Sequence, residues 1–391
     1  MSTKHSKAAA EFLKNKKQAA WHDETLWLVR AKRDRLSKEV PEWEELRNMA
    51  CATKLYSNSH LDELLVEFEN NARANGAHVY WAKDADEYCN IVYNILNQHG
   101  VKHFIKSKSM LAEECELNPF LESKGIEVVE SDLGERILQL MHLKPSHIVL
   151  PAIHIKREQV GELFEREMGT EKGNFDPTYL THAARKNLRQ KFIHAEAAMT
   201  GANFAVASTG EIVVCTNEGN ADMGTSQPKL QIAAFGMEKI VPDRESLGVF
   251  TRLLARSATG QPITTYTSHY RKPREGGELH IIIVDNGRSK ILADPKHIKT
   301  LNCIRCGACM NTCPVYRRSG GYSYTYFIPG PIGINLGMLK APLHYYDNVS
   351  ACSLCYSCSF VCPAKVDLAE QIYLWRQDLD KLGKADRRSE E

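Results

Sequence analysis

The sequence predicts an α/β domain with a mostly parallel sheet, preceded by a helical arm and followed by a small, mainly helical domain. Three features carry this prediction: a basic, helix-like start, alternating strand-like and helix-like segments through the middle, and eight of the twelve cysteines crowded between residues 303 and 362. At 391 residues, the chain exceeds one ordinary domain of roughly 100–200 residues. We expect the arm at residues 1–59, the α/β domain at 60–295 and the cysteine-rich domain at 296–391.

The composition excludes a bulk electrostatic attraction to nucleic acid. Fifty basic residues stand against 48 acidic ones, and 43% of the residues are apolar, which is enough for a substantial core. No apolar run approaches the ~18 residues of a spanning helix, and residues 1–30 lack the apolar core of a signal peptide. We therefore expect a soluble, cytoplasmic protein with no membrane span and no nucleic-acid partner.

The first 38 residues differ from the rest in charge. They carry ten Lys or Arg against four acids, in a helix-like pattern. This pattern favours a solvated helix that docks on a neighbouring part of the molecule; the alternative is binding to an acidic partner or a membrane surface.

The first half of the α/β domain alternates helices and strands. A helix from Leu61 to Ala74 stops at Gly76, and a second helix is capped by Asp84 with Glu87 three residues later and ends at Gly100. Helices are also predicted around residues 110–117 and 133–141. Buried strands are predicted at residues 78–82, 101–106, 126–130 and 148–150.

The second half contains a predicted hairpin and further strands. Asp176 and Pro177 predict the start of a long helix through about residue 199. Strands at residues 203–207 and 212–216 form a hairpin around residues 208–210, and a helix covers about residues 245–257. Strands are predicted near residues 263–269 and 279–284, and a turn at residues 285–287 leads into residues 289–292.

The eight crowded cysteines form the same motif twice, C-x2-C-x2-C-x3-C-P. This spacing is typical of two [4Fe–4S] clusters, in which the fourth cysteine of each motif reaches the cluster of the other motif. One cluster is then predicted on Cys303, Cys306, Cys309 and Cys362, and the second on Cys352, Cys355, Cys358 and Cys313.

Zinc sites and disulfide scaffolds fit this spacing less well. Structural zinc needs only four ligands and favours two CxxC pairs with a longer spacer, and disulfide scaffolds belong to small secreted domains. Cys51, Cys89, Cys115 and Cys215 stand singly among apolar neighbours and are expected to be buried thiols. Between the motifs, residues 330–333 (GPIG) either direct backbone N–H groups at cluster sulfur or form a turn.

Iron–sulfur clusters change by one electron and cannot accept a hydride. The oxidation of an alcohol or hydroxy acid would therefore need a two-electron acceptor elsewhere. The sequence carries no dinucleotide fingerprint, Walker loop or CxxCH haem motif. It indicates an electron-transfer chain with an attached domain.

Four segments of the α/β domain resemble the lactate utilisation (LUD) domain: KSKSM at residues 106–110, ESDLGE at 130–135, TGANFAVASTGE at 200–211 and TNEGN at 216–220. Joined to a dicluster ferredoxin, this domain order resembles the lactate utilisation protein B family. The resemblance implies the iron–sulfur subunit of a three-protein system that oxidises L-lactate to pyruvate. Its implied partners are a cysteine-rich-motif subunit and a second, smaller LUD protein.

The LUD fold is similar to the sugar-phosphate isomerase and CoA-transferase group. In CoA transferases a Glu in a short Gly-containing turn attacks an acyl group, and Glu218 lies in such a turn, Asn217-Glu218-Gly219. A Glu-Gly pair is also common in turns of no catalytic role.

The segment from Lys106 to Ser109 directly follows a predicted strand. It is placed either to pair with an anionic substrate or to form an exposed loop with a helix cap at Ser109. Glu130, Asp132 and Glu135 either line the same crevice or charge the next helix. We predict that the pocket is formed by Lys106, Ser109, Glu218 and Asn220.

Two functions follow from different classes. The first is an electron-transfer subunit of an L-lactate-oxidising complex. The second is a ligand-binding or acyl-transfer module whose clusters are structural or sensing. They differ in whether L-lactate reduces the clusters when partner proteins are present.

Overall fold

The computed structural model describes residues 3–383, so the outer ends of the predicted arm and cysteine-rich domain, residues 1–2 and 384–391, lie outside the described residues. It begins with three helices, α1 (Lys4–Lys14), α2 (Lys16–Lys38) and α3 (Trp43–Ser59). These helices dock on the C-terminal part of the same chain. Leu26 is fully buried in the C-terminal hydrophobic core, and Arg33 Nη2 donates to the carbonyl of Val361 at 3.0 Å. Intramolecular docking of the basic arm, one of the two alternatives predicted, is therefore observed.

The central part is built on a six-stranded sheet in the order β1-β10-β7-β4-β2-β3, with every neighbouring pair parallel. A four-stranded sheet in the order β8-β5-β6-β9 packs beside it. The predicted parallel α/β sheet is confirmed. The strands are β1 (His78–Ala82), β2 (His103–Lys106), β3 (Glu127–Glu130), β4 (Ala197–Gly201), β5 (Phe204–Val206), β6 (Glu211–Thr216), β7 (Leu230–Gly236), β8 (Ile240–Val241), β9 (Tyr266–Tyr270) and β10 (Glu278–Val284).

Helices cover both faces of the parallel sheet, and side chains along a strand alternate between two hydrophobic cores. Ile282 points into one core with Tyr88, whereas Ile281 and Ile283 point into the other with Phe68. The helices of this part are α4 (Leu61–Ala74), α5 (Ala85–Gln98), α6 (Met110–Glu114), α7 (Leu117–Ser123), α8 (Leu133–Met141), α9 (Arg157–Met168), α10 (Pro177–His194), α11 (Asn220–Ser226), α12 (Arg244–Thr259) and α13 (Arg288–Leu292).

Several helix starts agree with the predicted ones because their caps are local. The Asp84 side chain accepts from the N–H of Glu87 at 2.9 Å and begins α5, and Asp176 accepts from Tyr179 at the start of α10. The helices predicted at 61–74 and 133–141 and the 203–216 hairpin are confirmed.

Two predicted elements are wrong. Residues 148–150 are not a strand, because their N–H groups are used locally: those of Val149 and Leu150 both donate to His147 Nδ1. The helix predicted to run to about residue 199 ends at His194, and β4 follows as a central strand. The turn predicted at residues 285–287 leads into helix α13.

The C-terminal part is helical, as predicted. Its two longest helices, α16 and α19, pack against each other around a core that also contains Tyr316 and Ile328. Within residues 3–383, no helix is both long and apolar enough to cross a membrane. The helices of this part are α14 (Ala308–Thr312), α15 (Pro314–Ser319), α16 (Gly330–Lys340), α17 (Pro342–Tyr345), α18 (Ser357–Val361) and α19 (Leu368–Lys381), with 3-10 turns at Ile298–Asn302, Gly321–Ser323 and Tyr346–Ala351.

Candidate iron–sulfur centres and the adjoining cavity

The two cysteine motifs adopt the same backbone conformation. In each, the residue two after the first cysteine is left-handed, Arg305 (φ 61°) and Leu354 (φ 51°). Its N–H donates to the first cysteine's sulfur at 3.4 Å in both motifs. A one-turn helix then carries the third cysteine, and the fourth is extended before proline. Equal spacing in the sequence therefore becomes equal geometry, which suits the same cofactor twice.

The fourth cysteine of each motif lies with the first three of the other. A small cavity of about 20 Å³ is lined by the sulfur-bearing residues of the first thiol set, Cys303, Cys306, Cys309 and Cys362. Burial and then the charge of Cys362 raise the pKa of Cys306 to about 12. The crossed arrangement thus brings Cys306 and Cys362, which are 56 positions apart in the sequence, to one centre.

The second thiol set consists of Cys352, Cys355, Cys358 and Cys313. Burial, with added repulsion from Cys352 and Cys355, raises the pKa of Cys313 to about 11. Cys355 is exposed, whereas every thiol of the first set is buried or half-buried. The second thiol set thus has one member at the surface, whereas the first set has none.

The raised pKa values of these thiols bear on whether an iron–sulfur cluster fits here. Buried thiolates are costly unless a cation neutralises them, and iron would supply that charge. Further N–H groups face these sulfurs, from Tyr316 to Cys313 at 3.5 Å and from Val366 to Cys362 at 3.4 Å. The donor set fits a cluster cofactor at both centres.

The GPIG segment is the first turn of α16 and packs against the first thiol set. Ile332 lines the thiol cavity. A Cβ on Gly333 would lie 1.7 Å from the carbonyl oxygen of Ile328, so only glycine allows this close approach.

A cavity of about 320 Å³ lies between the carboxyl ends of the parallel strands and the first cysteine motif. Ser109, Glu218 and Asn220 line it, and Arg305 and Cys306 close its other side. The structure therefore places the candidate pocket directly against the first thiol set. A second, larger cavity of about 850 Å³ is lined mainly by apolar residues such as Ile137 and Phe164 and by none of the eight motif cysteines.

Lys106 lies behind the cavity wall. Its side chain is 1% exposed and its Nζ is 2.7 Å from Glu130 Oε1. Although burial lowers the pKa of Lys106, the surrounding carboxylates, led by Glu130, raise it further. Lys106 therefore carries a buried ion pair that supports the pocket floor, while Asn220 Nδ2 donates to Ser131 Oγ at 3.2 Å on the same floor.

Ser109 and Asp132 each have both roles that the sequence left open, as a helix cap and as a residue of the cavity wall. Ser109 Oγ accepts from the N–H of Ala112 and caps α6, and it also lines the cavity. Asp132 likewise caps α8 by accepting from Glu135 and lines the cavity.

Glu135 lies 3.6 Å from Lys108 Nζ, which suggests an ion pair. Burial nevertheless raises the pKa of Glu135 to about 8, against the opposing effect of Lys108. We favour the protonated carboxyl at neutral pH, since Glu130 and Glu113 also repel its charge. Lys108 then faces the cavity without a full counter-charge.

A buried charge network that sequence reasoning did not predict joins the cavity to the first motif. Glu238 is 3% exposed and contacts Arg288 and, at 3.6 Å, Arg305. Burial raises the pKa of Glu238, but the two arginines and Lys239 overcome this and lower it to about 2. One signal of this network is present in the sequence: the first motif has a charged residue, Arg305, at the position where the second motif has Leu354.

His147 connects the irregular segment between α8 and α9 to the first cysteine motif. Its Nε2 lies 2.9 Å from Oδ1 of Asn311, which follows Cys309 in α14. Burial lowers the pKa of His147 to about 3. Because the ring is neutral and Nδ1 accepts two N–H groups, Nε2 is the donor to Asn311.

Two protein families and one crystal structure align with parts of this chain. The LUD domain family matches residues 65–291, and the 4Fe-4S dicluster domain family matches residues 299–366. A crystal structure of a duf162 family protein from Deinococcus radiodurans aligns with 57% of this chain and 98% of its own, at 16% identity and a TM-score of 0.33.

Several relatives align along most of this chain. Lactate utilization protein B of Geobacillus thermodenitrificans is 43% identical over 89% of this chain and 75% of its own length, and that of Bacillus pumilus is 44% identical over the same shares. The uncharacterized electron transport protein YkgF of Escherichia coli is 41% identical over 91% and 76%. With a parallel LUD sheet followed by a helical dicluster region, this chain belongs to the lactate utilization protein B family.

Proposed function

We propose that this chain is the electron-transfer subunit of a multi-protein system that oxidises L-lactate to pyruvate, and that it holds two [4Fe–4S] clusters. The observation that carries the proposal is the cavity shared by the LUD pocket residues and Cys306. A ligand in this cavity lies next to a site for one-electron transfer. The names of the relatives, lactate utilization protein and electron transport protein, support the same function.

The proposed ligands of one cluster are the first thiol set, and those of the other are the second thiol set. Support comes from the thiol-lined cavity and the mutual repulsion of the paired thiols. When bound, such clusters supply one-electron transfer. The chain's own contribution is to hold the sulfurs, donate backbone N–H groups to them and exclude water from the first set.

The proposed ligand pocket contains Ser109, Glu218 and Asn220, with Lys106 beneath them as its structural support. L-lactate is the substrate of the complex, and its carboxylate suits a cavity that Lys108 and Lys239 also line. Because two electrons and two protons leave lactate, a two-electron acceptor must stand between it and a one-electron centre. We propose that a partner or a bound cofactor provides it.

The proposed partners are a cysteine-rich-motif subunit and a second LUD protein, in the cytoplasm. Exposed aromatic side chains follow the exposed Cys355 along the chain: Phe360 is 74% exposed, and Tyr356 and Tyr373 are 37% and 43% exposed. An apolar face beside a surface electron-transfer site suits a protein partner. We keep the domain boundaries at residues 60 and 296, which enclose both family matches.

The test is dye reduction by L-lactate in a reconstituted three-protein system under anaerobic conditions. The proposal predicts reduction that needs all three proteins and is abolished by Cys306→Ala. Omission of this chain is the matched control. If L-lactate reduces the dye equally well without this chain, the proposal is wrong. Ligand binding by the LUD cavity without any lactate-driven reduction would favour the acyl-transfer or sensing alternative.

A further inference from the structure

We propose that Lys54 and Lys239, two lysines that lie beside the first cysteine motif, raise the reduction potential of the cluster bound by the first thiol set. This inference rests on the cluster assignment above. It adds a tuning role for residues that lie outside both cysteine motifs.

Lys54 is held in an interior that charges normally avoid. It projects from α3, is 2% exposed, and its ammonium donates to the carbonyl oxygen of Glu238. Burial lowers its pKa to about 8, while Glu238 and Cys303 act in the opposite direction. Lys54 therefore remains mostly cationic at neutral pH, at the cost of an ammonium removed from water.

Lys239 adds a second cation at the same place. It lines the cavity of about 320 Å³ next to the first cysteine motif, and its side chain makes no hydrogen bond or ion pair within 4 Å to any residue in the described range 3–383. Burial again lowers its pKa to about 8, opposed by Glu238 and then by Cys303. Both lysines thus lie at Glu238, whose carboxylate is 3.6 Å from Arg305, two residues after Cys303.

The carboxylates of the network do not neutralise these lysines. Glu114 and Glu238 contact the guanidinium of Arg288, and Arg305 also contacts Glu238. Four cations, Lys54, Lys239, Arg288 and Arg305, therefore surround two carboxylates. Two positive charges are left over, one of them on the fully buried Lys54, and an anion nearby would compensate them.

The cluster with its four thiolates would be that anion. Reduction adds a further negative charge, so a nearby cation stabilises the reduced state more than the oxidised state. The effect is strong because the region is buried and poorly screened.

Within residues 3–383, the second thiol set has different surroundings. The residue that corresponds to Arg305 is Leu354, and Arg376 donates to the carbonyl oxygen of Cys352. Removing Lys54 or Lys239 should therefore change one cluster and leave the other unchanged.

The experiment is an anaerobic redox titration of the intact chain with both clusters, followed by electron paramagnetic resonance. Lys54→Met and Lys239→Met are compared with the wild type. At the wild-type midpoint of the affected cluster, each variant should increase the ratio of oxidised to reduced cluster about tenfold, equal to about 59 mV for one electron. Lys54→Arg, which keeps the charge, should restore the ratio.

Lys381→Met is the matched control, because Lys381 is 71% exposed and its ion pair is with Asp378, outside the network. Iron content shows whether each variant holds both clusters. If Lys54→Met loses a cluster, Lys239→Met alone decides the test, because the Lys239 side chain lines the cavity. Unchanged midpoints in Lys239→Met, or equal shifts of both clusters, would overturn the inference. Absence of any [4Fe–4S] signal in the wild type would instead overturn the proposed function.

Discussion

Arg305 Nη2 lies 3.6 Å from Glu238 Oε1. This contact joins a residue between two cysteines of the first motif to a residue that follows central strand β7. Through it, the LUD sheet and the cysteine-rich region share one buried charge network. The two parts are therefore mechanically and electrostatically coupled at the cavity.

Loss of the Glu238 charge should destabilise the chain strongly. Glu238→Gln leaves Arg288 and Arg305 buried with reduced compensation, which costs about 3–5 kcal/mol of unfolding free energy. Anaerobic urea denaturation measures this change. Glu158→Gln, on the exposed surface of α9, is the control and should alter stability by less than about 0.5 kcal/mol. Equal stability of the two variants would contradict the network.

Two glycine substitutions should act in opposite directions. Gly333→Ala forces a Cβ against the carbonyl of Ile328 and should cost about 1–3 kcal/mol. Gly248→Ala, inside α12 with no atom within 4 Å of the new Cβ, should stabilise by about 0.5–1 kcal/mol. Thermal unfolding followed by circular dichroism compares them. A neutral Gly333→Ala would contradict the close approach of Gly333 to the carbonyl of Ile328.

The crossed ligand sets predict different outcomes for two double variants. Cys313→Ala with Cys352→Ala removes ligands from one set only, so about half of the iron should remain. Cys313→Ala with Cys303→Ala damages both sets, so most of the iron should be lost. Iron analysis of anaerobically purified protein distinguishes them. The reverse ranking would mean that each motif binds its own cluster.

The protonated Glu135 predicts a pH dependence with a definite sign. Its pKa is about 8 in the folded chain against 4.5 unfolded, so the folded state holds the extra proton between these values. The free energy of unfolding should fall as pH rises through this window, by up to roughly 1.4 kcal/mol per pH unit. Glu135→Gln cannot ionise and should lack this component.

The measurement is the unfolding free energy of both proteins at several pH values inside the window. Wild type should lose stability relative to Glu135→Gln as pH rises. A constant difference would mean that Glu135 is ionised in the folded chain and paired with Lys108.

Local signals explain what the sequence predicted well. Caps at Asp84 and Asp176 and the repeated cysteine spacing act over a few residues, and the elements that they mark are observed. Central strands β4 and β7 were missed because they are rich in alanine, as at Ala197 and Ala233. Small residues are poor strand formers alone, but helices packed on both faces of the sheet make them fit.

The charge network was hidden for a different reason. Glu238 and Lys239 follow the missed strand β7, and Lys54 lies on a helix of the arm. Their proximity to the first cysteine motif depends on tertiary packing, which sequence spacing does not reveal. By contrast, Ser109, Glu218 and Asn220 follow strand ends or turns, and topology brings them to one cavity.

Electron transfer from lactate into this chain is best tested by electron paramagnetic resonance of the natively co-purified, anaerobic complex before and after L-lactate is added. We expect L-lactate to produce a reduced [4Fe–4S] signal, and we expect that signal to disappear when Cys303 and Cys352 are both replaced by serine. If dithionite reduces two clusters but L-lactate never does, with the partners present, this chain does not carry electrons from lactate.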